Sequence, residues 1–419
     1  MSIPVQDGTP AGLLGAEYFR RKWSYVRLQF TFVWVYAAAW AFGVWFKRKG
    51  PLGKVRKIAA VWYGPPDLPG SDFRFGIWKP LLEADGYVFD NFSLPWMSDL
   101  RKLGTATWSW RYSFYRRRLI DRFHQFRQLR HYDVVWLERS LILGPHKSAF
   151  MERCLRRMVG KVVLDCTDGG DYIANPEFSL AVLSHVDDVT VGCAAIRDLY
   201  EKWHPRVTWI NFVFPADPYK IKESHSIEGL PVLGWMGSPG NAVHLLAIES
   251  ELQRVASQLP YRLIVICREP VQLQIPGAQV EQHQFGADYY DLLARFDIGL
   301  FPSFGDNLRV KAKVAMKHQE FMLCGIPQVC SPIGLCEGIV DDDSALIAHK
   351  EGEWAEKIVQ LLHDEALRRR LAKRARDLFF EMYTPQSEYP KVLQTLTSSG
   401  VTPSRPPGAS GAETPTRGE

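Results

Sequence analysis

Between Phe301 and Gly334 the chain reads FPSFGDNLRVKAKVAMKHQEFMLCGIPQVCSPIG, and three of its charged side chains have a spacing that could do chemistry. Apolar runs at 296–301 and from Ile326 onward bracket the stretch, which predicts a strand, a loop, a helix and a second strand. On such a helix Lys313, Lys317 and Glu320 fall at i, i+4 and i+7, so that one face bears two cations and a carboxylate. Ammonium groups act as point charges on phosphate oxygens, and a carboxylate accepts from the two vicinal hydroxyls of a ribose. The same spacing describes a solvated face with a Lys317–Glu320 ion pair, worth about 0.3 kcal/mol. Spacing alone leaves both readings open.

Two further loops hold chemistry. From Val232 the chain reads VLGWMGSPGNAVHLLAIESELQ, which predicts a strand, a loop with Gly234, Gly237 and Gly240, and a helix with Ser238 as N-cap and Pro239 in its first turn. Unpaired N–H groups there suit a diphosphate, although glycines at this spacing also make a plain tight turn. Earlier, KVVLDCTDGGDY brings Asp165 and Asp168 to the carboxyl end of a strand, where α/β proteins bind ligands. Paired carboxylates also admit a metal or general-base reading, and Asp and Gly are ordinary loop residues as well.

The elements that position these loops are those of an α/β protein. At 419 residues the chain exceeds one ordinary core, and two domains with appendages are expected. IAAVWY followed by GPPDLPGSDFRF opens the first as strand, loop and helix, with Arg74 in the loop. Strand-like runs continue to VTWINFVF, and the Pro-containing stretch 215–230 reads as a linker. The expected divisions are a membrane-associated segment at 1–50, a first domain at 51–217 with a basic, aromatic insert at 98–130, a second at 226–384, and a final helix at 385–396. The Pro/Gly/Ser/Thr-rich tail 397–419 has nothing to bury and is expected to be disordered.

Charge and apolarity point to a surface. Residues 101–130 hold nine Lys or Arg against one Asp, in a chain whose net charge is only +5, and aromatic rings are interleaved among them. This suits an anionic membrane better than nucleic acid, for which no module is recognisable; a solvated helix is the plain alternative. Residues 1–17 read as loosely structured. Leu28 to Phe46 gives 19 residues without a charge, which as a helix reach roughly 28 Å, close to a bilayer core. Basic residues flank the run on both sides, so orientation is undetermined, and a shallow, spanning or protein-buried helix all remain open. The seven cysteines form no C-x-x-C pair and read as reduced core residues of a cytosolic compartment.

The stretch Glu320, Phe321, Met322, Gly325, Ile326, Pro327, Val329, followed by Ser331, Pro332 and Gly334, resembles the E-F/Y-M-x-x-G-x-P-V motif of family 4 glycosyltransferases of the GT-B fold. The resemblance covers most of 230–384 and is weaker before that. It implies two Rossmann-like domains facing a cleft, preceded here by the N-terminal hydrophobic helix. It also implies a donor site in which Gly237, Ser238 and Gly240 lie at the phosphates, Phe285 and Gly286 at the base, and Glu320 at the ribose, with Gly334 a further donor-site residue. Lys313 and Lys317 would meet the leaving diphosphate, and Arg74, Asp165 and Asp168 would line the cleft from the first domain. No metal or cofactor is implied beyond a UDP- or GDP-linked sugar as substrate. Where many members carry a first glutamate, separated from the second by seven residues, this chain has Ala312. Asp306, Asn307 or Glu337 would have to reach the sugar instead, and Asp306 is preferred.

The function expected is retaining transfer from a nucleotide-sugar to a sugar or lipid-linked acceptor at the cytosolic membrane face, as in polysaccharide biosynthesis. Two alternatives stand beside it: a degenerate nucleotide-sugar binding or assembly protein, favoured by Ala312, and a sugar-nucleotide epimerase using Asp165 and Asp168.

Overall fold

The computed structural model describes residues 14–48, 50, 52–62, 74–94, 102–142, 148–167, 169–350 and 352–399. The expectations for residues 1–13, for Asp168 and for most of the C-terminal tail lie outside the described residues.

Two six-stranded parallel sheets form the body. The first contains β1 (Lys57–Val61), β2 (Val88–Phe92), β3 (Val134–Glu138), β4 (Lys161–Cys166), β5 (Asp188–Val191) and β6 (Val207–Trp209), in the order β2-β1-β3-β4-β5-β6. The second contains β7 (Val232–Met236), β8 (Tyr261–Ile266), β9 (Ala278–His283), β10 (Ile298–Phe301), β11 (Gln328–Cys330) and β12 (Leu346–Ile347), in the order β12-β11-β10-β7-β8-β9. Strands β3, β4, β5 and β7 are apolar runs rather than alternations because helices cover both faces of each sheet. Gly234, read above as part of a loop, lies inside β7. A Cβ there would fall 1.9 Å from the Phe296 ring, so the glycine serves packing of the sheet.

In the second sheet the strand order reverses between β7 and β10, and in the first between β1 and β3. A reversal leaves a crevice at the carboxyl ends of the two strands, where open α/β sheets take their ligands. The loops at 237–241 and 302–307 follow β7 and β10, so the topology brings both to one crevice.

The N-terminal helix α1 (Leu14–Trp45) begins well before the charge-free run, and residues 14–17, expected to be loose, are already helical. Leu28, Phe32, Val35 and Ala39 bury one stripe of it. Against that stripe lie α2 (Trp108–Leu129), through Leu119, Phe123 and Phe126, and α3 (Phe150–Met158), through Met151, Cys154 and Leu155. The basic insert is therefore a helix laid along α1, its start capped by the Thr107 side chain.

The single helix expected to carry Lys313, Lys317 and Glu320 is instead two: α4 (Leu308–Lys311), capped by Asn307, and α5 (Met316–Cys324). The break has a visible cause. The Ala312 carbonyl, which an unbroken helix would spend on residue 316, accepts from the Gly169 N–H of the first domain at 3.3 Å. Lys313 thus sits between helices, and only Lys317 and Glu320 share one.

Two helices close the chain, α6 (Glu365–Met382) and α7 (Pro385–Thr397), the second of which returns to the first sheet. Buried Lys161 of β4 pairs with Asp188 at 2.7 Å and donates to the Ser398 carbonyl and hydroxyl at 2.9 Å each. Asn211 N–H meets the buried Glu388 carboxylate at 3.0 Å.

His318 of α5 is wholly buried, stacked on Phe301 at 5.2 Å, and burial pushes its pKa down to about 3. Its Nδ1 accepts from Cys336 N–H at 3.3 Å, so the ring is held neutral. The folded state binds this proton less well than the unfolded chain does, so stability falls as pH drops below the ordinary histidine value near 6.5. Between pH 7.5 and 5.5 this histidine is expected to cost about 1.4 kcal/mol. Urea unfolding of the wild type and of His318→Gln at both pH values checks this, since the variant should lose that share of the pH dependence.

Candidate functional site

The crevice between β7 and β10 is floored by α5. Glu320 is 3% exposed, and its carboxylate is met from three directions. Tyr219, from the stretch joining the two sheets, donates to Oε1 at 2.7 Å. Tyr289, which begins the helix Tyr289–Ala294, donates to the same oxygen at 2.9 Å. Lys317, one turn earlier on α5, meets Oε2 at 2.8 Å and donates to the Tyr289 hydroxyl at 3.2 Å. Burial and the neighbouring Glu320 charge push both tyrosine pKa values well up, so both stay protonated donors. The ion pair set out as the plain alternative is therefore present, and it is buried and triply supported.

Phe285 and Gly286 stand exposed at the rim. Phe285 stacks near Tyr289, with ring centroids 5.3 Å apart, and the Lys317 ammonium lies 4.9 Å from the Phe285 ring. An aromatic face thus adjoins the Glu320 carboxylate.

Lys313 extends to the other side of the crevice, where its Nζ donates to Asn241 Oδ1 at 2.8 Å. Asn241 ends the single turn Pro239–Asn241 after β7, so Lys313 reaches the glycine loop itself. Its partner is neutral, whereas the charge of Lys317 is offset by Glu320. Burial first, and then Arg309, pull the Lys313 pKa below its ordinary value, and among the described residues no carboxylate pairs with it. Arg309 is the nearby cation that the motif reading did not select. Gly237 is buried, while Ser238 and Gly240 are exposed. Ser238 takes the N-cap position, but its side chain caps nothing, and the helix that follows, Ala242–Leu246, is only five residues long. Gly334, at φ +73°, sits where glycine is favoured and near the Ser303 hydroxyl. His244 Nδ1 accepts from Phe304 N–H at 3.1 Å, tying the loops after β7 and β10 together.

Three candidates do not sit as expected. Asp306, on the loop after β10, is exposed and already paired with Lys311, whose hydrogen bond and charge hold its carboxyl below the usual range. Arg74 and Asp165 do not face the cleft as separate groups, because they bond to each other. Arg74 Nε and Nη2 meet the Asp165 carboxylate at 2.7–3.0 Å, Arg74 Nη1 donates to the Ile210 carbonyl at 2.7 Å, and Thr167 and Thr190 complete the carboxylate. Both are almost fully buried. With its acceptor sites filled, Asp165 is a structural carboxylate rather than a base or metal ligand, and no cluster of metal-binding side chains occurs among the described residues.

Ala312 is 1% exposed and seated against the first domain. A Cβ on Gly169 would fall 2.8 Å from the Ala312 Cβ, and one on Gly192 would fall 2.9 Å from Val314. Gly169 and Ala312 thus meet closely, and a side chain at 169 would require Ala312 to shift.

Residues 251–394 match the family model described as glycosyl transferase-like. No curated protein sequence matches the chain. Among solved structures, Anabaena HepE in complex with UDP and glucose aligns at TM-score 0.58 and 14% identity, covering 82% of this chain and 100% of that one. Sucrose-phosphate synthase from Thermosynechococcus elongatus aligns at 0.55 and 14%, covering 81% and 98%. An alpha-glucosyltransferase in complex with UDP-glucose and DNA containing an abasic site aligns at 0.56 and 10%, covering 83% and 100%. The chain spans 55% of the length of TarM, a likeness at TM-score 0.49 that adds nothing to the others. At these identities the likeness establishes the fold, which is GT-B.

Because Arg74 and Asp165 are a buried pair, Asp165→Asn is expected to lower unfolding free energy by about 3–5 kcal/mol, leaving a guanidinium without its counter-charge. Denaturant titration checks this; an undiminished unfolding midpoint would return Asp165 to the list of cleft groups.

Proposed function

We propose that this GT-B chain transfers a sugar from a nucleotide-linked donor to an acceptor hydroxyl, with the donor held in the β7/β10 crevice. The observation that carries the reading is Lys313 bonded to Asn241, which puts a cation without a carboxylate partner among the described residues on the glycine loop at the point where the strand order reverses. The glycosyl transferase-like match over 251–394 and the UDP and UDP-glucose bound by structures of the same fold support it.

In this reading the diphosphate lies between the loop at 237–241 and Lys313, and the base rests at Phe285 and Gly286. The ribose reaches the Glu320 cluster, where its hydroxyls displace a tyrosine or lysine contact. Breaking the anomeric C–O bond leaves negative charge on the diphosphate, and a fixed ammonium there stabilises the transition state more than the bound donor. Lys313 is the principal cation for this role, because Lys317 already answers Glu320; Arg309 is the second candidate. Retention at the anomeric carbon, a hexosyl group, metal independence and an acceptor that is lipid-linked or a polysaccharide precursor are the finer parts of the proposal. Family resemblance and the basic, aromatic first domain support them.

A donor-binding protein without transferase activity is the second reading, favoured by the packed Ala312. The epimerase alternative loses one of its two carboxylates, since Asp165 is bound to Arg74, while Asp168 lies outside the described residues.

Purified protein incubated with UDP- and GDP-sugars, with and without lipid-linked acceptors, is expected to release the nucleoside diphosphate only when an acceptor is present. Donor binding with no transfer or hydrolysis for any pair would favour the second reading. Lys313→Met is expected to lower turnover on the order of 10²-fold with little change in donor affinity. A variant that loses only affinity would place Lys313 in uniform binding of the donor.

A further inference from the structure

The α1 helix bears a second apolar stripe that no part of the described protein covers. It runs from Phe19 through Trp23, Phe30, Val33 and Trp40 to Val44, and Phe19 and Phe30 are each 72% exposed. A groove of about 410 Å³ opens beside it, between α1 and α2, lined by Arg27, Phe30, Thr31, Trp34, Arg116 and Ile120. Arg116 Nε donates to the Thr31 hydroxyl at 3.1 Å, and among the described residues neither Arg27 nor Arg116 is paired with a carboxylate. Two uncompensated guanidinium groups therefore share a groove whose other walls are largely apolar, a combination that fits the phosphate of an amphiphile.

We propose that α1 lies in the plane of an anionic bilayer, its outer stripe among the upper acyl chains and a phospholipid phosphate held between Arg27 and Arg116. The helix is long enough to span, but its packing forbids it. Its inner stripe is fixed along α2, which carries Arg111, Arg116, Arg117, Arg118, Asp121 and Arg122. Charges taken to the bilayer centre each cost about 2.5–3.5 kcal/mol or more. Lying flat keeps the basic groups at both ends of α1 on one leaflet. Cations rest on aromatic faces at either end: Arg21 and Arg111 over Trp108 at 5.5 and 4.9 Å, and Arg130 over Phe46 at 4.5 Å. Pairing with a second copy through the same stripe would bring like-charged arginines together. A negatively charged lipid surface satisfies both the stripe and the arginines.

The inference is independent of the donor site and is tested on the full chain by flotation with vesicles of phosphatidylcholine, alone or mixed with phosphatidylglycerol. Binding is expected to the mixed vesicles, to weaken with salt, and to fall roughly tenfold or more in Arg27→Gln/Arg116→Gln. The triple variant Phe30→Ser/Val33→Ser/Trp40→Ser is expected to lose binding altogether. In the wild type, brominated lipids should quench tryptophan fluorescence more strongly with bromine near the headgroup than near the chain ends, a readout that needs no variant. Absence of quenching, equal binding to neutral vesicles that ignores the arginine pair, or a triple variant that turns a dimer into a monomer would each overturn the proposal.

Discussion

A carboxylate taken out of water must be met by donors and a counter-charge, or the fold that buries it loses several kcal/mol. Glu320 imposes that requirement on the second domain. Tyr219 arrives from the connection between the sheets, Tyr289 from the helix after β9, and Lys317 from α5 itself. Three separate segments are thereby fixed relative to one buried charge, and the walls of the β7/β10 crevice are set before any ligand enters. The arrangement is preorganised in the physical sense: its donors and dipoles are already oriented, so little reorganisation accompanies charge development nearby.

The first domain uses the same device in another place. Asp165 at the end of β4 is answered by Arg74, whose remaining donor reaches the Ile210 carbonyl after β6. The pair ties the carboxyl end of β4 to the segment that follows β6. The two domains differ in consequence: one keeps a cation exposed to a crevice, while the other neutralises its charges internally.

Much of this was legible in the chain. Continuous apolar runs ending in glycine- or aspartate-containing loops gave the parallel sheets, and the motif around Glu320 placed α5, because both signals are local. What was not legible depends on residues distant in sequence. Nothing at 311–315 breaks a helix by composition, since KAKVA contains neither Gly nor Pro. The break comes from an N–H of the other domain. Tyr219 sat in a stretch read as a linker, and only the fold shows that its hydroxyl completes the Glu320 cluster. Asp165 looked like a ligand because its position at a strand end is where ligands bind; its partner lies 91 residues earlier. On α1, composition gave a long apolar helix, but which side is covered follows from α2 alone.

The return of α7 to the first sheet bears on the order in which the protein is made. Lys161, in the middle of the first sheet, is buried among oxygens of Thr395 and Ser398, and Arg206 reaches Ser398 and Ser399. Domains generally mature in the order they leave the ribosome. Here the first-made sheet holds a lysine that pairs with Asp188 of its own domain but takes its other oxygens from Thr395 and Ser398, translated more than 230 residues later. Until the last helix has been synthesised, Lys161 of the nascent first domain has Asp188 as its partner and lacks the C-terminal oxygens that complete its shell.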